Sequence, residues 1–484
     1  MSGPLATPGA LPEAGLVLLA LAGGLTVASG LPAFVALLLV SALGALFGVL
    51  SGALEPALLG ALPGRLVGLL EHDLLQAVPL FVLVGAMLHR LPLAALLYRC
   101  ATRLAGRGPL APRAGALALA ALLAPMNGSV GASAALLSRL VLPRLRAAGA
   151  APADAVALTS AASTLGVLVP PSLVLLLLGD AMMRAHTEAL NSTGRSARIV
   201  NTQDLLMGAL LPAALGLLAF VAAAGWAARR AAPPVAAEPA PTPREWLAAG
   251  CTLAALLALL GGVAVGRFLA VEAAATGALL MFVGGLLSGH LRGARLRELL
   301  HDTLVTSGAL LALFIAATSF TLLLRGFGTD RWVEELFTRA APGAAGALGI
   351  GLGTMLVCGL VLDAFELVFV VVPLLMPPVL VRVEDAAWVG VLALLVLQAS
   401  FLAPPMGYAV TMVGSRSPDP LRVRALCKAL VPYLLAQALV IGAVLAWPRL
   451  VHPGSADVQA PTAPVLNDDE VMKLMRDGGG RTPP

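Results

Sequence analysis

Two proline pairs, Pro170–Pro171 and Pro404–Pro405, interrupt apolar stretches that otherwise read as helix, STLGVLVPPS and SFLAPPMG. A proline has no N–H to give the carbonyl four residues back, so the first pair strands the carbonyls of Gly166 and Val167, and the second those of Ser400 and Phe401. In hydrocarbon such oxygens are costly until a donor or a cation completes them. Na+ is a hard ion that takes oxygen ligands. More oxygens are at hand in two polar interruptions of apolar blocks: PMNGSVGAS supplies Asn127, Ser129 and Ser133, and GLVLDAFEL supplies Asp363. The chemistry indicated is therefore two cation sites, with half-helix N-termini beyond each break open to an anionic substrate. Plainer readings stay open: a proline pair can be a packing kink, and Asp363 with Glu366, three residues apart on one helical face, can be a proton relay or a structural pair.

Such groups need a scaffold, and the composition says which kind. With 59% hydrophobic and 12% charged residues and a mean hydropathy of +0.93, the 484-residue chain has too little polar side chain to cover a water-facing surface. Apolar runs of about 20 residues recur along it, and the two-residue alternation of a membrane barrel is absent, so the chain reads as an all-α multi-pass membrane protein. The first run lacks a basic residue ahead of it and a cleavage site in range, which predicts a retained span rather than a signal peptide. A net charge of +5, carried almost wholly by Arg in loops, gives no reason to expect nucleic acid as a partner. Cys100, Cys251, Cys358 and Cys427 show no metal-ligand or disulfide spacing, and no phosphate loop appears, so neither a cofactor nor ATP drive by this chain is expected.

Spans are predicted at 14–30, 33–52, 76–97, 153–179, 204–227, 246–265, 270–289, 304–325, 386–413 and 426–447. Blocks 113–146 and 343–381, each with a polar tip at its middle, read as re-entrant hairpins. Arg99, Arg103, Arg107 and Arg113 precede the first hairpin, and Arg139, Arg144 and Arg146 follow its tip, which puts both flanks in the cytoplasm. Onward counting places Arg229, Arg244, Arg292, Arg295, Arg297, Arg416, Arg422 and Arg424 inside, with the second hairpin entering from outside and both termini outside. Arg184, Arg195 and Arg198, in what reads as a polar loop at 180–203, disagree with that count.

The Pro-rich segment 228–245 divides the chain into halves 1–227 and 246–447, with a polar, disordered tail expected at 448–484. Each half holds five crossings and one hairpin, so the second is inverted relative to the first. Thr164 and Gln398, Pro170 and Pro404, Pro171 and Pro405, and Ser129 and Asp363 are each 234 residues apart (for example 398 − 164). Inverted repeats with broken helices at matching positions indicate a secondary transporter with its site at the midplane.

At these residues the chain resembles the large permease subunit of the tripartite ATP-independent periplasmic (TRAP) transporters. The resemblance rests on LDAFE followed by VVPLL, EDAAWVGVL followed by LQASFLAPPMGYA, STLGVLVPPS and NTQDLLMGALLP, with LLLRGFGTD weaker, and spans about residues 76 to 415. It implies an elevator-type, Na+-driven importer of an organic anion, usually a carboxylate, in the bacterial inner membrane. Its partners would be a periplasmic substrate-binding protein and a small membrane subunit of about four spans. Matching positions put Gly128 and Ser129 at the first tip, Gly166 and Pro170 at the first break, Asp363 at the second tip, and Gln398, Ser400, Pro404 and Gly407 at the second break. The candidate Na+ ligands are thus Asn127, Gly128, Ser129, Ser133, Thr164, Gly166, Val167, Asp363, Gln398, Ser400 and Phe401. Ser129, Ser172, Gly407 and Arg325 are the candidate substrate contacts. Ala403 stands where the family commonly has Thr, Ser163 where Gly is usual, and NGSVGAS replaces a denser hydroxyl tip, which leaves one or two ions open.

A carrier of the same architecture driven by H+ through Asp363 and Glu366 is the alternative within transport. A membrane enzyme using those two carboxylates as acid and base lacks a visible nucleophile or ligand cluster, so no enzymatic activity is expected.

Overall fold

The computed structural model describes residues 12–71, 73–123, 129–229, 240–264, 266–341, 343–404 and 407–452. Helices α1 (Pro12–Ser29) and α2 (Ala33–Leu50) pack together and precede two short helices, α3 (Pro56–Leu59) and α4 (Leu62–Leu70). Next comes α5 (Asp73–Arg90), where the predicted span 76–97 is cut: Leu91 and Pro92 turn the chain, and a separate helix, α6 (Leu93–Leu104), follows. Its buried Ala94, Leu97, Tyr98 and Cys100 recur at helical spacing while Arg99 and Arg103 stay outside, so it is a surface helix and not the end of a crossing.

The first hairpin is α7 (Ala111–Leu123) and α8 (Val130–Leu140), extended by α9 (Leu142–Ala147). A broken helix follows as α10 (Pro152–Leu168) and α11 (Leu173–Thr193), bent by 45°. Helix α11 runs well past residue 179, into the stretch expected as loop. It can do so because its polar side chains are satisfied locally: Asp180 pairs with Arg184 one turn on at 3.0 Å, and the buried His186 Nδ1 accepts the Val200 N–H at 3.1 Å.

Helix α12 (Thr202–Ala228) begins on a reciprocal cap, in which Asn201 Oδ1 accepts the Asp204 N–H and Asp204 Oδ2 accepts the Asn201 N–H, both at 2.9 Å. Most of the Pro-rich segment lies outside the described residues. Helices α13 (Pro243–Ala264), α14 (Ala270–Leu287) and α15 (Ala294–Gly326) follow it, then a short helix that the sequence reading missed, α16 (Thr329–Ala340). Its buried Thr329, Val333 and Phe337 form one narrow stripe among charged residues.

The second hairpin is α17 (Ala344–Cys358), α18 (Ala364–Glu366), one π turn (Leu367–Val371) and α19 (Val372–Leu380). The second broken helix is α20 (Ala386–Leu402) and α21 (Tyr408–Gly414), and α22 (Val423–Ala446) follows. The tail beyond residue 452 lies outside the described residues.

The fold is all-helical among the described residues. Among the described residues, five helices are by themselves long and apolar enough to cross a membrane, or up to seven if each of two bent pairs counts as one. Large apolar side chains stand exposed on α2 (Leu39, Leu43, Leu46), α14 (Leu279, Leu280, Leu287) and α22 (Leu435, Leu439), a surface that lipid covers and water would not. Ion pairs and one His–Asp contact between distant segments fall into two groups, which meet only through α15, with Glu298 near its start and Arg325 near its end. Arg99–Glu245 and Arg146–Asp419 join segments expected in the cytoplasm, and Arg90–Glu298 ties one such segment to a residue inside the predicted span 76–97. Arg195–Glu384, Arg325–Glu188 and His452–Asp385 join segments expected outside. The arginines that disagreed with the loop count each have a carboxylate partner, Asp180, Glu384 and Asp204.

Two hydrophobic cores meet at the breaks. Ala155 to Leu165 of α10 pack in the core of the first hairpin, whereas Val167 and Leu168 pack in that of the second. Helix α20 switches the other way, with Phe401 in the second hairpin's core and Leu402 in the first's. The chain thus passes between cores in the last turn or so of helix before each proline pair.

Candidate functional site

Both hairpin tips are helix caps. Ser129 has extended backbone (φ −150°), its Oγ accepts the Ala132 N–H at 3.1 Å, and its carbonyl accepts the Ser133 N–H at 3.1 Å. At the equivalent position, Asp363 Oδ1 accepts the N–H groups of Phe365 and Glu366 at 2.9 and 3.0 Å, and Glu366 Oε2 accepts the Asp363 N–H at 2.9 Å. A carboxylate suits the positive end of a helix, and both amides fall on one of its oxygens, so a cation can meet the other without uncapping the turn. Glu366, left open as relay or structural pair, has a structural task as the reciprocal cap. Ser133 is buried at 1% exposure. Asn127 and Gly128 lie outside the described residues.

The breaks begin alike. Helices α10 and α20 are each 17 residues long, and the next residues, Val169 and Ala403, leave them with the same extended ψ of 115°. One turn earlier, Thr164 and Gln398 touch: Gln398 Nε2 donates to Thr164 Oγ1 at 3.3 Å across a separation of 234 residues. Equivalent residues of two units can meet only beside the axis that relates them, so this contact marks where such an axis would run. Both side chains are fully buried. Thr164 Oγ1 donates to the Ala161 carbonyl at 2.8 Å and Ser400 Oγ to the Leu397 carbonyl at 2.7 Å. A hydroxyl that spends its proton on its own helix keeps lone pairs for a cation.

Two of the four carbonyls expected to be stranded are not. Val167 O accepts the Ser172 hydroxyl at 2.8 Å, and Ser400 O accepts the Ala403 N–H at 3.2 Å. Gly166 and Phe401 remain as the carbonyls whose helical donors the prolines removed. Ser172, expected as a substrate contact, is committed to the backbone on both sides, because its Oγ also accepts the Leu175 N–H at 3.0 Å. Gly407, likewise expected to meet substrate, is a steric necessity: a Cβ there would lie 2.6 Å from Phe401 O and 2.8 Å from Ala403 O. Arg325, the last expected substrate contact, is held by Glu188 of α11 at 2.9 Å at the surface. Pro170 and Pro171 are buried and Pro404 half-buried, while Pro405 lies outside the described residues.

Packing brings each tip to a break. Helix α8 lies against α10 and α21, α17 lies against α20, and α19 lies against α11. A Cβ on Gly359 would strike Ser400 Oγ, and one on Gly131, two residues past Ser129, would lie 2.8 Å from the Tyr408 hydroxyl. Tyr408, the first residue of α21 beyond the second break, thereby meets the first hairpin beside its tip.

The sequence reading missed Tyr408 and Gln437. Gln437, at 1% exposure in α22, donates from Nε2 to Gln398 Oε1 and to the Leu395 carbonyl, both at 3.0 Å. Gln398 is therefore used at both ends of its amide, and its oxygen keeps one lone pair beyond the bond from Gln437. A lone Gln inside the apolar run PYLLAQALV is the signal that could have found this residue, since polar side chains at membrane depth are rarely incidental. No group of three or more His, Cys, Asp and Glu suited to a transition metal occurs among the described residues.

The profile of the family described as tripartite ATP-independent periplasmic transporter, DctM component, matches residues 16–450. The chain is 24% identical over 382 residues to the sialic acid TRAP transporter large permease protein SiaM of Vibrio cholerae, covering 78% of this chain and 84% of that protein. To the C4-dicarboxylate TRAP transporter large permease protein DctM of Pseudomonas aeruginosa it is 26% identical over 383 residues, covering 75% and 82%. Among solved structures, the YdaH transporter of Alcanivorax borkumensis aligns with a TM-score of 0.56 over 82% of this chain and 89% of that one, at 16% identity, a likeness of fold alone.

Proposed function

The chain belongs to the DctM component family of the tripartite ATP-independent periplasmic transporters, inner-membrane transport permeases and not enzymes, and on that basis we propose that it imports a small organic anion in symport with Na+. What supports the coupling ion is that each unit carries both a capped hairpin tip, Ser129 or Asp363, and a carbonyl whose helical donor a proline removes, Gly166 or Phe401. Ser129 and the Gly166 carbonyl would hold Na+ at the first position. At the second, Asp363, the Phe401 carbonyl and the Ser400 hydroxyl would hold it. These are oxygen donors only, which suits a hard monovalent cation.

The substrate class follows from chemistry that SiaM and DctM share in their names, since sialic acid and C4-dicarboxylates are both carboxylates. The partners are a small membrane subunit of about four spans and a periplasmic binding protein that delivers the anion. Two inverted units moving as an elevator against the outer helices α2, α5, α14 and α15 would carry the site across. The Thr164–Gln398 contact supports a twofold relation between the units.

Uptake of labelled succinate and of labelled sialic acid into proteoliposomes holding the chain, its small subunit and its binding protein tests the reading. Flux should require inward Na+ and vanish with choline in its place. Asp363→Asn keeps an oxygen to cap the helix and removes the charge, so it should fold normally and lose uptake by about 100-fold or more. Flux that ignores Na+ and follows a pH gradient would replace this reading with H+ coupling through Asp363 and Glu366.

A further inference from the structure

A cavity of about 670 Å3 lies between the first hairpin and the outer helices, away from the breaks. Its wall includes Ala132, whose N–H caps onto Ser129, and Arg139, seven residues on and therefore two turns along the same face of α8. Opposite them stand Arg90 at the end of α5 and, on the first two turns or so of α15, Arg295, Glu298 and Asp302. Arg90 is neutralised twice over, by Glu298 at 2.8 Å and by Asp302. Neither Arg139 nor Arg295 has a carboxylate partner among the described residues. Three guanidiniums against two carboxylates leave the cavity positive, and the two uncompensated cations come from opposite walls.

We propose that this cavity is a second anion subsite, in which Arg139 and Arg295 together receive the carboxylate of a substrate that has left the hairpin tip for the cytoplasm. The proposal rests on the reading of the chain as an organic-anion carrier and adds a waypoint to it. Three features favour a small carboxylate as occupant. The volume is in the range of small-molecule sites. The wall is continuous with the tip through Ala132. Arg139 and Arg295 also lie in segments expected to face the cytoplasm, where released substrate must go. A guanidinium on each wall would grip a dicarboxylate at both ends or one carboxylate between them. Because one cation rides on the hairpin and the other on an outer helix, the grip would form only while the two are apposed as they are here.

The test places a single thiol in the cavity, Ala86→Cys on α5, in the full chain with Cys100, Cys251, Cys358 and Cys427 replaced by Ala. Its labelling rates with sulfonate-bearing and trimethylammonium-bearing methanethiosulfonates are compared, each normalised to a free small thiol. The sulfonate reagent should be favoured roughly tenfold at low ionic strength, and succinate should slow it. R139Q/R295Q should abolish both the preference and the protection, while R139K/R295K should keep the preference. A preference that is absent at the outset, or survives R139Q/R295Q, overturns the proposal. So does protection by phosphatidylglycerol in nanodiscs with none from succinate, which would make the cavity a lipid-headgroup site. Labelling needs no ion gradient, so Na+-independent uptake with anion preference intact would sink the coupling reading alone.

Discussion

The two breaks start from the same geometry and close by different means. At the first, a side chain does the closing: the Ser172 hydroxyl gives its proton to Val167 O, takes the Leu175 N–H, and starts the 21-residue α11. At the second, the backbone closes on itself. Ala403 N–H serves Ser400 O, Gly407 N–H serves Ala403 O at 2.9 Å, and only the seven-residue α21 follows. The consequence is that opposite carbonyls are capped. Val167 is satisfied in one unit and Ser400, the counterpart of Gly166, in the other, so the carbonyls whose helical donors the prolines removed and for which no other donor appears among the described residues, Gly166 and Phe401, do not sit at equivalent positions. With Ser129 at one tip and Asp363 at the other, equivalent places in the fold carry a neutral cap and a carboxylate. Sequence symmetry therefore sets where the chain breaks, and local capping decides what each break presents.

The difference can be broken most strongly at Gly407. Gly407→Ala would put a methyl 2.6 Å from one backbone oxygen and 2.8 Å from another, neither of which can move without undoing the turn. A loss of about 3 kcal/mol in unfolding free energy and uptake reduced to background are expected. At the first break the equivalent lesion is milder. Ser172→Ala removes one buried hydroxyl and two hydrogen bonds, a loss of about 2 kcal/mol that Ser172→Thr should largely restore. Thermal unfolding in detergent, read beside uptake, checks both. If Ser172→Ala proved as damaging as Gly407→Ala, or Ser172→Thr failed to rescue, the two closures would not differ in kind.

Much of this architecture is legible in the sequence because prolines and polar tips in apolar runs leave few choices: STLGVLVPPS and SFLAPPMG mark the breaks, and Ser129 and Asp363 mark the tips. Elements whose burial is a narrow stripe were not legible. Helix α16 looks like a charged loop until Val333 and Phe337 find the core, and α6 hides behind Pro92. Helix α11 outran its expected end because Arg184 and Val200 satisfy its polar side chains, and neither pairing leaves a trace in local composition. Within the site, the freed carbonyls could be counted from Pro170, Pro171, Pro404 and Pro405, but their caps could not. Ser172 and Ala403 supply those caps through turn geometry, and Gln437 reaches Gln398 across 39 residues of chain.

The mildest change probes whether the two units share one site. Gly131 sits beside the first tip and Tyr408 beside the second break, and an added methyl at 131 would lie 2.8 Å from the Tyr408 hydroxyl and 3.6 Å from its ring carbons. The obstruction is thus the far end of one side chain. Gly131→Ala should cost about 1 kcal/mol in the native background and close to nothing beside Tyr408→Phe, which removes the offending oxygen. A double-mutant cycle on unfolding free energy measures that coupling. Additive costs would mean that Tyr408 does not rest on the first hairpin. The second break would then answer to its own tip alone.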